Sequence, residues 1–266
     1  MPRRAFRVAY DGRPYHGFQR QPDVSTVAGE LFGALRRLDV FDGAKPSGYA
    51  AAGRTDAGVS ARAQTVAFDA PAWLTPDAFT GALPDPIQVW AHADAPPEFH
   101  ATHDAVARTY VYYWYAPDSR ATDDRAAGAL DRLTGTHDFH NLTPNTTNTV
   151  RELDATLDRD GAFRVITVRA GGFCRELVRR VVSLVQLVTE SGDTDRIDTV
   201  LGDEPVAGPD GVPPADPHPL VLHAVAYDGL SFTVDEDAAE RARTTFRAAR
   251  ADHHERARVA GHLASI

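Results

Sequence analysis

Gly53-Arg54-Thr55-Asp56-Ala57-Gly58-Val59 places one carboxylate between two glycines, with an arginine two residues before it. Apolar residues resume at Ala63, Val66 and Phe68, so Asp56 lies on a loop that enters a strand. Glycine accepts backbone angles that bulkier residues resist and lets another chain come close. That setting suits a reactive Asp. It suits a plain tight turn at least as well, because Asp and Gly dominate turns for reasons unrelated to catalysis. The rest of the chain has to decide.

The 266 residues suffice for one large domain or two of ordinary size. Hydrophobic residues make up 43% and charged residues 24%, the composition of a globular protein with a full core. No apolar run reaches the roughly 18 residues of a membrane span. The basic start Met1–Arg7 has no apolar stretch behind it and does not read as a signal peptide; a cytoplasmic protein is the expectation. With a single cysteine, Cys174, an internal disulfide and a Cys-x-x-Cys knuckle are excluded, and a buried apolar filler is the expected role.

The net charge is −9, and Lys45 is the only lysine among 28 basic residues. Arg supplies the rest, and Asp heavily outnumbers Glu. Such a surface stays hydrated in concentrated salt and points to a salt-accumulating host, an expectation that an unfolding series in rising KCl would test. Global charge argues against nucleic-acid binding, which needs positive surface. In strong salt, however, screening shortens to about 3 Å at 1 M, so local arginine clusters decide.

The first strand is Phe6 to Tyr10, ended by Asp11-Gly12. The loop from Asp11 to Gln21 holds two arginines, two aromatics, two glycines, and the amides Gln19 and Gln21 beside Arg20. Aromatic faces for stacking and arginines for phosphates suit RNA; an ordinary exposed loop is an equal reading. Ala28, Leu31, Phe32, Leu35 and Leu38 predict a helix from about Val24 to Leu38, capped by Ser25 or Thr26. A short helix over 76–83 and a strand over 87–93 follow, among prolines. The strand over 106–115 carries Arg108, Tyr110, Tyr112 and Trp114 on one face; taken alone, Tyr110 reads as a core tyrosine.

The second half reads as a helix over 121–133, a loop over 135–140, a hairpin around Asp160-Gly161 and an apolar helix over 174–189. Arg175, Arg179 and Arg180 gather in the first half of that last helix. Cations there oppose the helix dipole, which calls for an anionic partner, carboxylate or phosphate. A Pro- and Gly-rich linker over 205–219, short strands over 220–227 and 231–234, and a charged helix over 237–263 complete the chain. His253 and His254 on that helix read as solvated.

There is no P-loop, no GxGxxG and no nucleophile elbow. His100-x-x-His103 and His137-x-x-His140 lack the Glu of a metal helix, so neither a metal nor a cofactor is expected. What remains is a carboxylate, arginines and a tyrosine. That set suits nucleophilic or electrostatic catalysis by Asp beside a cation. Glycoside hydrolysis normally needs paired carboxylates, and only Asp56 has a distinctive setting.

Tyr10-Asp11-Gly12, Tyr15-x-Gly17-x-Gln19-x-Gln21, the 53–59 block, Phe99-His100-Ala101, Ala107-Arg108-x-Tyr110-x-Tyr112, the loop 135–139 and Leu177-Val178-Arg179 together resemble the TruA family of tRNA pseudouridine synthases. The blocks fall in that family's order, from Tyr10 to about Tyr227. The resemblance implies an α/β (α+β) fold of two similar domains, 1–104 and 105–266, with antiparallel or mixed sheets flanked by helices and a central cleft. It implies isomerisation of uridine to pseudouridine at positions 38–40, in the 3′ arm of the tRNA anticodon stem-loop, without metal or organic cofactor, by a homodimer. Asp56 would be the catalytic nucleophile, Tyr110 would stack on the flipped-out base and is a candidate for removing the C5 proton, Arg54 would hold the nucleotide out and Arg179 would pair with the carboxylate. Leu220 would line the pocket, with Gln19 and Arg20 on the substrate side.

The physics is consistent with those roles. A base inside a stem must be extruded before its glycosidic bond is reached, at a cost of a few kcal/mol. Stacking on a tyrosine offsets about 1–3 kcal/mol of that. This chain departs from the family pattern at Ser60, at Phe173-Cys174-Arg175-Glu176 and at Pro219-Leu220-Val221-Leu222. Two other readings stand beside the synthase: a non-catalytic RNA-binding or folding module, and a carboxylate-dependent glycosidase.

Overall fold

The computed structural model describes residues 1–117, 120–206 and 208–265; Ala207, within the expected linker, lies outside them. The first half contributes β1 (Arg3–Tyr10), α1 (Val27–Arg37), β2 (Ala50–Ala51), β3 (Ser60–Asp69), α2 (Pro76–Gly81) and β4 (Ile87–Asp94). The second contributes β5 (Ala105–Tyr115), α3 (Arg120–Leu133), β6 (Gly135–Asp138), β7 (Val150–Asp160), β8 (Phe163–Ala170), α4 (Leu177–Ser191), α5 (Asp195–Leu201), β9 (Leu220–Tyr227), β10 (Thr233–Val234) and α6 (Glu236–Leu263).

Among the described residues the strands form one sheet in the order β10-β4-β1-β3-β9-β5-β8-β7-β6, with β2 paired to β3. All pairs are antiparallel except β3 with β9, where Ser60 faces Val221 and Ala61 faces Leu222. That parallel junction joins the two halves and brings the end of the Asp56 loop beside β9. On the other edge of β9, Leu222 pairs with Tyr110 and Leu220 with Tyr112. The sheet register thus carries the Asp56 loop and Tyr110 to within one strand of each other.

Each half has its own core on the helical side of the sheet. Phe6, Val66, Phe68 and Val89 pack against Leu31, Phe32, Leu35 and Phe79 in the first. Ile166 and Val168 pack against Leu130, Leu133, Val181 and Val185 in the second. Tyr110 is half-buried and packs against both cores, so it stands on the seam between the halves.

Local chemistry accounts for most element ends. Of the two cap candidates, the Thr26 hydroxyl accepts from the Gly29 amide at 3.3 Å, and α1 begins one residue later, three after the expected start. The expected loop over 135–140 contains β6, whose residues pair with Val150–Leu153. Its polar sequence carries no alternation, and the open edge of β7 supplies the pairing. The apolar helix begins at Leu177 rather than Cys174, because Glu176 sits in the left-handed region at φ 61°. That kink swings 174–176 out of the helix and into the loop beside the site. Cys174 is buried as expected, its Sγ 3.3 Å from the Asn148 carbonyl.

Candidate functional site

The Asp56 loop is held from beneath by the segment that follows β1. The Tyr10 hydroxyl meets Thr55 Oγ1 at 2.8 Å, both buried. The Phe18 amide donates to the Thr55 carbonyl at 3.0 Å and the Gly58 amide to the Tyr15 carbonyl at 3.3 Å. Gly12 packs so tightly that a Cβ there would strike the Val59 carbonyl. The amide of Gly12 donates to Ser60 Oγ at 3.0 Å, which gives the Ser60 departure a structural task. Gly58 adopts φ +81°, a region that favours glycine, and a Cβ there would approach the His218 ring at 2.9 Å. Gly53 has open space around it.

Onto this platform comes Arg179, in the first turn of α4. Its Nη1 donates to Asp56 Oδ2 at 3.1 Å and its Nε to the Ala215 carbonyl at 2.7 Å. The Ala215 amide in turn donates to the Arg179 carbonyl at 3.1 Å. Arg179 is 15% exposed and Asp56 33%, so the ion pair opens to solvent on the carboxylate side. The anionic partner that this helix start called for is therefore Asp56 for Arg179, and Glu176 at 2.7 Å for Arg180.

Tyr110 stands next to this pair. Burial first, and the Asp56 charge second, push its phenol up to about 12, so it is a neutral hydroxyl at working pH. The Phe173 ring meets it edge-on at 5.2 Å between centroids. The departure at 173–176 therefore does reach the site. Behind Tyr110, Arg108 donates from Nη2 to the carbonyls of Ala52 at 2.8 Å and Thr102 at 2.5 Å, and from Nη1 to Gly171 at 2.5 Å. It ties the approach to the Asp56 loop to the segment carrying Phe173.

The remaining expected residues scatter. Arg54 is exposed and makes no hydrogen bond or ion pair among the described residues. Gln19 is exposed; Arg20 donates to the Ala44 carbonyl at 2.8 Å and lies over the Phe32 ring. Leu220 is 3% exposed, within the second core alongside Val59 and Tyr112. Asp56, Arg179 and Tyr110 come together, while Arg54, Gln19 and Arg20 are exposed and make no hydrogen bond or ion pair with them. Sequence reasoning missed the Ala215 carbonyl, which as a backbone group leaves no signal. It also missed Phe173 as a contact, although that residue marked a departure from the family pattern. His253, read as solvated, hydrogen-bonds to Arg13. Among the described residues no group of three His, Cys, Asp or Glu could hold a metal ion, and no helix is long and apolar enough to cross a membrane.

A carboxylate clamped by arginine beside an aromatic ring, with the exposed Arg54 in the same loop, has the chemistry to act on an aromatic, anionic substrate such as a nucleotide. A family model described as tRNA pseudouridine synthase matches residues 129–228, the part that carries Arg179. The chain is 99% identical over 266 residues, all of both chains, to tRNA pseudouridine synthase A of Halobacterium salinarum. It is 59% identical to that of Haloarcula marismortui, covering 98% of each, and 37% identical to that of Methanosarcina acetivorans, covering 90% of each. Among solved structures, an archaeal box H/ACA sRNP Nop10–Cbf5 complex matches at TM-score 0.35 and 13% identity, over 69% of this chain and 43% of that one; so loose a likeness carries no argument. The chain belongs to the tRNA pseudouridine synthase A family. It is an isomerase that converts uridine to pseudouridine in tRNA, of a halophilic archaeal type.

Proposed function

We propose that Asp56 is the nucleophile of this isomerisation, acting on a uridine flipped out of the 3′ arm of the anticodon stem-loop at positions 38–40. The observation that carries the reading is the 3.1 Å ion pair between Asp56 and Arg179, made across 123 residues of chain. Attack of the carboxylate at the sugar C1′ breaks the bond from C1′ to the uracil N1 and leaves a glycosyl ester. The uracil turns, C5 bonds to C1′, and the carboxylate leaves. The C5 proton passes to solvent and N1 takes one up. No redox partner or metal enters this balance, so the expected absence of a cofactor is chemically self-consistent.

In this reading Arg179 orients the carboxylate and supplies its counter-charge, and Tyr110 stacks on the extruded base. Arg54, exposed and without a partner among the described residues, is free to engage the nucleotide's phosphates and hold it out of the stem. Gln19 and Arg20 contact the RNA at the rim, and Leu220 backs the pocket wall from within the core. The phenol of Tyr110, pushed up to about 12 mainly by burial, is protonated near neutral pH, and stacking is the part assigned to it here. We keep 1–104 and 105–266 as two domains, each with a cluster centred on its own helices while β10 and α6 return to β4 of the first, acting as a homodimer in the cytoplasm.

The test is release of tritium from tRNA labelled at uridine C5, for wild type and Asp56→Asn. Release by the wild type alone supports the nucleophile. Equal release by both removes Asp56 from the chemistry, and free uracil as product would mark glycosidase chemistry instead.

A further inference from the structure

A protein of net charge −9 has to find positive surface for tRNA, and that charge is not spread evenly. Helix α6 holds six arginines against five carboxylates, and all six arginines lie after residue 240. Arg243, Arg247 and Arg250 recur at helical spacing and line one face. That face borders a groove against the sheet, whose other wall carries Arg62 of β3 and Trp90 of β4, with Phe246 between. Arg62 is exposed, and neither it nor Arg250 has an acidic partner among the described residues. Arg243 is held by Glu240 at 2.6 Å. Arg247, 68% exposed, pairs with the same Glu240 at 3.2 Å. His223 lies close enough to Arg62 that its charge, after burial, helps hold the imidazole below its ordinary range. The groove lining carries four arginines against one carboxylate, Glu236, which lies 3.6 Å from Arg243, and the net positive surface that is left suits a polyanion.

The groove is linked to the catalytic loop. Past Arg250, His253 of α6 hydrogen-bonds to Arg13. The segment holding Arg13 is the one that carries the Asp56 loop, through Tyr15 and Phe18. From His253 back to Arg243 is about 15 Å at 1.5 Å per helical residue. The arginine track therefore starts at the segment that supports the Asp56 loop and runs along α6 from there. Arginine beside half-buried aromatics is the composition that suits RNA rather than an acidic protein surface.

We infer that the groove between α6 and β3–β4 binds the phosphate backbone of the tRNA outside the stem-loop that enters the Asp56 site. This rests on the tRNA reading of that site. It gives an acidic enzyme a contact-range grip on its substrate in strong salt, where charges more than about 3 Å apart are screened at 1 M.

The experiment is tRNA binding as a function of KCl for wild type, Arg62→Ala/Arg247→Ala/Arg250→Ala, and the same three positions changed to Lys. Each is run with full tRNA and with the isolated anticodon stem-loop. Each phosphate contact contributes about 0.7–0.9 to the slope of log affinity against log salt. The alanine triple is expected to bind full tRNA about tenfold or more weakly at low salt, with a slope shallower by about 2. The lysine triple keeps most of the slope, and stem-loop binding is unchanged in both. Unchanged affinity and slope in an alanine triple that melts like wild type overturns the inference. So does an equal loss on the stem-loop, which would put these arginines in the catalytic cleft. So does a changed oligomeric state with an unchanged slope, which would make the groove a contact between copies. Tritium release from full tRNA is read in parallel: its absence in the wild type defeats the Asp56 reading, while the slope still decides the groove.

Discussion

Arg179 holds Asp56 with one nitrogen and the Ala215 carbonyl with another, at 3.1 and 2.7 Å. The guanidinium is thus fixed by the linker before it meets the carboxylate, and a planar, multi-donor head is what that geometry requires. Arg179→Ala is expected to slow single-turnover tritium release by about 10- to 150-fold, the equivalent of the 1.5–3 kcal/mol of a hydrogen bond to a charged group. Arg179→Lys, which keeps the charge but cannot make both bonds at this spacing, should fall between. Affinity for tRNA should move little in either variant. A lysine variant as fast as wild type would show that charge alone matters.

Tyr110→Phe removes a neutral hydroxyl and leaves the ring wedged beside Phe173. Binding of tRNA is expected to stay within about threefold, because stacking is retained, whereas Tyr110→Ala should lose the 1–3 kcal/mol that a stacked base is worth. A large loss of affinity in the Phe variant would assign the interaction to the hydroxyl.

Alkaline pH should unfold the protein through its tyrosines. Burial is the first cause that lifts Tyr15, Tyr110 and Tyr227 from 10.0 to about 12, and it lifts Tyr10 and Tyr49 still further. Below pH 10 these phenols are protonated in both folded and unfolded chains, and their contribution is fully present. Between 10 and 12 the unfolded chain loses protons that the folded chain keeps, so stability falls as pH rises. Melting curves from pH 8 to 12, followed together with phenolate absorbance, should show the transition temperature dropping above pH 10. Phenolate appearing at pH 10 in all eight tyrosines of a still-folded protein would contradict this.

The elements were legible where periodicity is strong. The apolar spacing of α1 and of α4, and the Val- and Tyr-rich β5, follow directly from residues that bury one face. Gly135–Asp138 was not legible, because its strand character comes from the free edge of β7 rather than from its own side chains. The site shows the same division. Asp56, Tyr110 and Arg179 are separated by dozens of residues, and no local chemistry joins them. The β3–β9 junction and the β9–β5 register join the Asp56 loop to Tyr110, α4 and the Ala215 carbonyl bring in Arg179, and none of these pairings is written in any short stretch. Leu220 illustrates the limit: as a residue of β9 it is a core leucine opposite Tyr112, while Leu222 stands opposite Tyr110.

The two glycines that frame Asp56 have different tasks, and substitution separates them. Gly58 needs its φ of +81° and has the His218 ring and Pro217 against it; Gly58→Ala is therefore expected to destabilise the fold by more than the roughly 1 kcal/mol of an ordinary glycine replacement. Gly53 has no neighbour within 4 Å of a Cβ and no left-handed angle, so Gly53→Ala should melt within a degree or two of wild type. Gly53 adjoins Arg54, the residue proposed to hold the nucleotide. If close approach of RNA is what excludes a side chain there, Gly53→Ala will raise KM for tRNA while leaving stability and the folded spectrum intact. A variant with wild-type KM and kcat would reduce Gly53 to a turn residue, and leave Gly58 as the only glycine of the pair with a structural requirement.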